Sequence, residues 1–194
     1  ISLGLDPQAF HIFRRVAAAI PQRRASDFSK GLEGVVAAQT DLSFVDGDVS
    51  QLYYRGIAIQ ELSENSSFEE TSYFLWFGNL PSKSELKEFK KRLASSRKLP
   101  REALLLLKKL PKNSHPMSVL RSMVSILGLL DPKSEDSSHD SLQEKSLVLT
   151  AVFPTLLAAF YRLRQGQSVI GPKKNLSHAA NFLYMMHGKV PDEI

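Results

Sequence analysis

The chain has 194 residues, 43% of them hydrophobic and 23% charged, which suits a water-soluble globular protein with one well-buried core and leaves too little for two comfortable domains. It contains no cysteine, so disulfides, thiolate nucleophiles and Cys-ligated metal sites are excluded. The formal net charge of +5 is scattered over Arg14-Arg15, Arg23-Arg24, Lys90-Lys91-Arg92, Lys108-Lys109 and Lys173-Lys174, with Glu85, Glu88 and Glu102 nearby; this predicts a solvated basic surface and no nucleic-acid face.

Residues 1–29 form a basic N-terminal segment. Residues 8–26 carry no acid, as an organelle-targeting peptide can, but Pro21 and the sequence that follows at once predict a short amphipathic helix instead. The chain opens on Ile1 rather than Met, which reads as a processed or trimmed start. No secretory signal pattern is visible, and a cytoplasmic location is expected.

Residues 30–59 hold the β signal. Leu42 and Phe44, then Leu52 and Tyr54, alternate with Asp41, Ser43, Gln51, Tyr53 and Arg55, and Asp46-Gly47-Asp48 lies between the two runs. A β-hairpin over 35–56 is predicted, with Gly47 supplying the positive φ. An isolated hairpin is marginal in water, so this one must lean on other elements as a structural ribbon. Gly31-Leu32-Glu33-Gly34 lacks the spacing of a phosphate-binding loop.

Everything after the hairpin reads as helix. One or two turns cover residues 57–62. Ser67 and Glu70 form a capping box that opens a helix ending at Gly78, and its Tyr73, Trp76 and Phe77 read as core. Ser82 or Ser84 caps the next helix, with Leu86, Phe89 and Leu93 on one face. A short helix follows Pro100 and is stopped by Pro111.

Two later helices differ in kind. In 115–130, Pro116 sits at a favoured first-turn position, and apolar residues form two stripes: Met117, Leu120, Val124, Leu127 and Val119, Met123, Ile126, Leu130. Residues 131–143 are the most polar stretch and read as a loop. The helix 142–165 is apolar nearly all round from Leu147 to Tyr161. Thr150, Pro154 and Thr155 interrupt that run and Arg162 and Arg164 end it, which favours a buried helix kinked at Pro154 over a membrane span. A last helix is expected to be capped by Asn175 and ended by Gly188. Helices 115–130 and 142–165 together offer more apolar surface than a core of this size requires, so they predict a homodimer interface.

The histidines are His11, His115, His139, His178 and His187. None stands in a zinc-binding spacing, and His178 and His187 do not share a helix face. His115, before Pro116, reads as a helix cap. No nucleophile elbow, phosphate-binding loop or dinucleotide fingerprint is present. The residues therefore give no catalytic, cofactor-binding or metal-binding position, and no cofactor.

Several blocks in order carry a family resemblance. Lys30-Gly31-Leu32-Glu33-Gly34-Val35-Val36-Ala37, Asp46-Gly47 and Leu52-Tyr53-Tyr54-Arg55-Gly56 are followed by His115-Pro116-Met117, Leu120-Arg121 and Gly128. Pro154, Tyr161-Arg162, Asn175-Leu176-Ser177, Asn181-Phe182-Leu183-Tyr184-Met185, Gly188 and Pro191 complete the series. The chain resembles the citrate synthase family, in the bacterial citrate and 2-methylcitrate synthase form. The resemblance implies a mainly α fold: residues 30–194 would be the N-terminal part of a multi-helical large domain with one small β-hairpin, and the small domain would be absent.

It also implies an activity. Members condense acetyl-CoA or propionyl-CoA with oxaloacetate to give citrate or 2-methylcitrate and CoA, the CoA thioester being a substrate. They use an aspartate base, histidines that polarise the two carbonyls and arginines on the carboxylates. In the family those groups lie downstream of the block that ends at Pro191-Asp192-Glu193-Ile194, so none transfers to a residue of this chain. The expectation is a chain inactive alone that serves folding and dimerisation, since the family is dimeric through an antiparallel sandwich of helices. A shortened, non-catalytic dimerisation module of the family and a basic nucleic-acid binder are the alternatives, the latter marked by steeply salt-dependent binding.

Overall fold

Alternation of apolar and polar residues over 43–58 produces three antiparallel strands: β1 (Ser43–Asp46), β2 (Gln51–Tyr54) and β3 (Ile57–Ala58), in the order β1-β2-β3. The computed structural model describes residue 31, residues 34–36 and residues 38–192. The expected helix over 8–26, with His11, lies outside them. The chain divides into two compact units, Ile1–Leu80 and Pro81–Ile194, at the Leu80-Pro81 step where the sequence already breaks a helix.

In the first unit the ribbon is a sheet rather than a hairpin. β1 pairs with β2 from Ser43 opposite Tyr54 to Asp46 opposite Gln51, which leaves a loop over residues 47–50. Asp46 Oδ1 accepts from the amides of Asp48 (3.1 Å) and Val49 (3.3 Å), an Asx turn. The positive φ falls on Ser50, at 55°, and not on Gly47 as expected; a loop longer than two residues moves the left-handed residue from its centre to its exit. The second connection is Arg55-Gly56, with φ of 46° and 85°, a two-residue turn in which both residues are left-handed and whose twist matches the strands it joins. The third strand escapes detection because it is two residues long and runs directly into α1 (Ile59–Asn65).

Arg55 links this turn to α2 (Phe68–Phe77). Its Nε and Nη2 both donate to the Leu75 carbonyl, at 2.9 and 2.7 Å. That carbonyl is in the last turn, where the helix offers no partner and the dipole is negative. The capping box forms as expected: the Ser67 amide donates to Glu70 Oε2 (2.8 Å) and the Glu70 amide to Ser67 Oγ (3.3 Å). Gly78 ends the helix at φ 85°. Of the aromatic residues on α2, Phe74 is buried whereas Phe77 is exposed, so that aromatic mass is not all core.

The second unit contains α3 (Lys83–Ser95), α4 (Arg101–Lys109), α5 (Pro116–Leu129), α6 (His139–Arg164) and α7 (His178–His187). Ser82 rather than Ser84 caps α3, in a second capping box with Glu85. His115 Nδ1 caps α5 by accepting from the Met117 amide at 3.3 Å. α6 starts inside the polar stretch read as a loop, because Ser138 Oγ accepts from the Ser141 amide. Asp136 Oδ1 in turn accepts from the Ser138 amide at 2.9 Å. That bond, with the Ser138 hydroxyl, holds the Asp136 carboxyl below the usual carboxylate range. Its support for the helix start is therefore present above the ordinary carboxylate pKa and lost as the pH falls. α7 is capped by Ser177, not Asn175: the serine oxygen stands two residues nearer and accepts from the Ala180 amide at 3.2 Å.

α6 is the centre of this unit, with α3, α4, α5 and α7 packed against it. Leu147, Ala151, Val152, Thr155, Leu156, Ala158, Ala159 and Phe160 are buried along it. Adjacent residues 100° apart on the wheel are buried together, so the helix is covered on more than one side by its own chain. By length and composition it could cross a membrane; here it is the core helix. It runs unbroken through Pro154, whose missing N–H removes the bond to the Thr150 carbonyl. The all-round apolar surface that pointed to a partner is thus in large part met within the second unit. α5 is different. Val119 and Met123 are buried and Leu120, Ile126 and Leu127 pack on the core, but Met117 is 62% exposed and Val124 only half-buried.

Met123 has no exposure, so Met123→Ala should cost about 2–5 kcal/mol. Met117→Ala, on the outer face, should stay within about 0.5 kcal/mol of the parent when both are compared as monomers. Urea unfolding of both variants checks the assignment of faces.

Candidate functional site

The chemistry-bearing residues are dispersed. His115 caps α5, and exposed His139 begins α6 with Nε2 3.1 Å from Gln143 Nε2. Buried His178 begins α7 and exposed His187 ends it. Among the described residues, no group of three His, Cys, Asp or Glu side chains could hold a metal. The structure gathers a different set, at the loop between α6 and α7.

This loop, residues 165–177, contains no regular structure and is held from three directions. From the α3–α4 linker comes Arg97, 2% exposed, whose Nη1 donates to the carbonyls of Lys173 (2.8 Å) and Leu176 (2.9 Å). Thr155 Oγ1 on α6 fixes the linker by donating to the Arg97 carbonyl at 2.8 Å. From α7, Asn181 Oδ1 accepts from the Lys173 amide at 2.8 Å, and Asn181 is 1% exposed. From the end of α6, Arg162 donates through Nε to the Ser168 carbonyl (2.6 Å) and through Nη1 to the Met186 carbonyl (3.0 Å). Lys173 Nζ lies 4.3 Å from the Tyr184 ring centroid, a cation–π contact on the same loop. Peptide groups outside helices and strands lack a ladder partner, and several of this loop find theirs in side chains.

The loop so held forms one wall of a cleft of about 920 Å³, entirely inside the second unit. Leu99, Leu104, Leu163, Val169, Ile170 and Pro172 give it apolar walls, and Lys98, Lys108 and Lys174 bring positive charge. No histidine, aspartate or glutamate lines it, so its charged groups are the three lysines. Neither Arg97 nor the cleft stood out in the sequence. Arg97 sits among scattered basic residues, and the one signal was an arginine placed between a helix end and Pro100.

Arg97→Ala leaves two carbonyls of the loop without their donor and should cost about 2–4 kcal/mol, with faster amide hydrogen exchange over residues 173–176. Thr155→Val removes a single bond and should cost about 1 kcal/mol. Denaturant unfolding with exchange mass spectrometry checks both.

Comparison with known proteins adds the context of the whole chain. The family model described as "Citrate synthase, C-terminal domain" matches residues 31–194. The citrate synthase of Deinococcus radiodurans is 41% identical over 166 residues, which are 86% of this chain and 44% of that protein. The 2-methylcitrate synthase of Mycobacterium tuberculosis is 42% identical over 166 residues, 86% of this chain and 42% of its own length. The crystal structure of citrate synthase from Thermotoga maritima superposes with a TM-score of 0.74 at 46% identity, covering 86% of this chain and 43% of that one. A citrate synthase from Thermoplasma acidophilum, 24% identical, shares the fold with a TM-score of 0.79 over 84% of this chain and 43% of its own. The chain thus spans less than half the length of the relatives it matches. With its mainly helical architecture and small antiparallel sheet, it belongs to the citrate synthase family.

Proposed function

We propose that this chain is the N-terminal part of the large domain of a citrate synthase-type enzyme, over residues 30–194. The reaction assigned to the whole enzyme is condensation of acetyl-CoA or propionyl-CoA with oxaloacetate. The α-carbon of the thioester, deprotonated, forms a carbon–carbon bond to the keto carbon of oxaloacetate. Water then cleaves the thioester and releases CoA and citrate or 2-methylcitrate. The observation that supports this is the match over residues 31–194, shared with relatives named citrate synthase, 2-methylcitrate synthase and citrate/2-methylcitrate synthase.

Such chemistry needs a base at the α-carbon and hydrogen-bond donors at both carbonyls, converging within a few ångströms. The described histidines stand instead at separate helix ends. We assign no catalytic, cofactor-binding or metal-binding role to a residue of this chain, and the chain alone has no synthase activity. In a thiol-release assay with acetyl-CoA and oxaloacetate, the 194-residue chain should stay at background while the whole natural product turns over. Turnover by the 194-residue chain would overturn this reading.

The part this chain plays is in folding and in a homodimer formed through helices 115–130 and 142–165. Support comes from α5, where Met117 is 62% exposed, and from the ends of the pair, where Leu129 is 86% and Leu142 50% exposed. Neither a nucleic-acid nor a membrane partner belongs to this reading, and the location is cytoplasmic, in keeping with α6 as a core helix. Sedimentation should give a dimer, and Met117→Glu with Val124→Glu should return it to monomer with the fold intact. A monomeric parent chain would refute the interface.

A further inference from the structure

The cleft beside the α6–α7 loop has a composition that none of the functions above uses. Its volume, about 920 Å³, is within the range of small-molecule sites. Its apolar surface comes from Leu99, Leu104, Leu163, Val169, Ile170 and Pro172. All its charge is of one sign: Lys98, Lys108 and Lys174 line it and no carboxylate does. The chain's ion pairs among described residues, Lys91 with Glu88 and Arg92 with Glu144, engage none of these lysines. Single-sign charge around a concave, partly apolar surface concentrates its field on the opening and raises the local concentration of anions.

The wall is also fixed in advance. Arg97, Arg162 and Asn181 hold the carbonyls and amides of residues 168, 173 and 176, so a ligand would not have to order the loop. We propose that this cleft binds a small amphipathic anion, an apolar chain or ring bearing an anionic head group. The head meets the ammonium groups of Lys98, Lys108 and Lys174, and the apolar part lies against Leu99, Leu104, Leu163 and Ile170. The assignment is independent of synthase activity and needs no residue outside the second unit.

Hexyl phosphate is a suitable probe, titrated into the ¹⁵N-labelled 194-residue chain and followed by amide chemical shifts. Saturable shifts confined to residues 95–99, 104–108 and 163–174 are expected. Hexanol and inorganic phosphate, each carrying half of the chemistry, should bind at least about tenfold more weakly. Replacing Lys98, Lys108 and Lys174 together by Gln should weaken hexyl phosphate by about tenfold or more while the remaining spectrum keeps its dispersion. Gly171 lines the cleft and a Cβ there meets nothing within 4 Å, so Gly171→Trp offers a second variant that fills the space and should abolish the shifts. Absence of saturation, equal binding of hexanol, or unchanged binding in the triple Gln variant would each overturn the proposal.

Discussion

The second unit depends on one constraint: a helix covered on several sides must satisfy its own backbone. α6 does so along its 26 residues except at the Thr150 carbonyl, which Pro154 leaves without a helical donor, and α3, α4, α5 and α7 pack around it. The helix gives only small or smoothly apolar side chains to the most crowded positions, with Ala151, Ala158 and Ala159 beside Val152, Leu156 and Phe160. Thr155 is the polar exception, and its hydroxyl goes to the Arg97 carbonyl. A buried hydroxyl costs stability unless bonded, so this contact also selects the path of the α3–α4 linker.

Arg97 extends that choice outward. Its own carbonyl is set by α6, and its guanidinium sets two carbonyls of the α6–α7 loop. A loop without regular structure thereby acquires a defined wall, and the cleft beside it has a shape because one buried arginine holds it. The fold of this unit and the cleft beside the α6–α7 loop share a single chain of hydrogen bonds.

Much of this could be read from residues and some could not. The Ser67–Glu70 capping box, the His115 cap and the glycine stops at Gly78 and Gly188 were legible because each is a local rule with a local partner, whereas the choice of Ser82 over Ser84 and its box with Glu85 came from the structure. β3 was not, since two residues carry no period, and the left-handed Ser50 depended on loop length rather than residue type. Arg97 was invisible because its partners lie in a distant loop, and burial of an arginine has no sequence signal of its own. The two apolar helices were alike in sequence and unlike in the fold: α6 is covered by its own unit, and α5 keeps Met117 outward. Which neighbour covers an apolar face is a tertiary fact.

Two of the anchoring arginines differ widely in how much chain they close. Arg55 reaches the Leu75 carbonyl 20 residues on, whereas Arg97 reaches carbonyls 76 and 79 residues away. Loop-closure entropy grows with separation, and long-range contacts slow folding. During synthesis the sheet-to-helix tie of the first unit can close while the chain is still short, but the Arg97 tie must wait until the α6–α7 loop has left the ribosome. A folding intermediate of this chain would therefore hold an ordered Arg55 turn and a loose α6–α7 loop, and the concave wall would be the last part of the second unit to set.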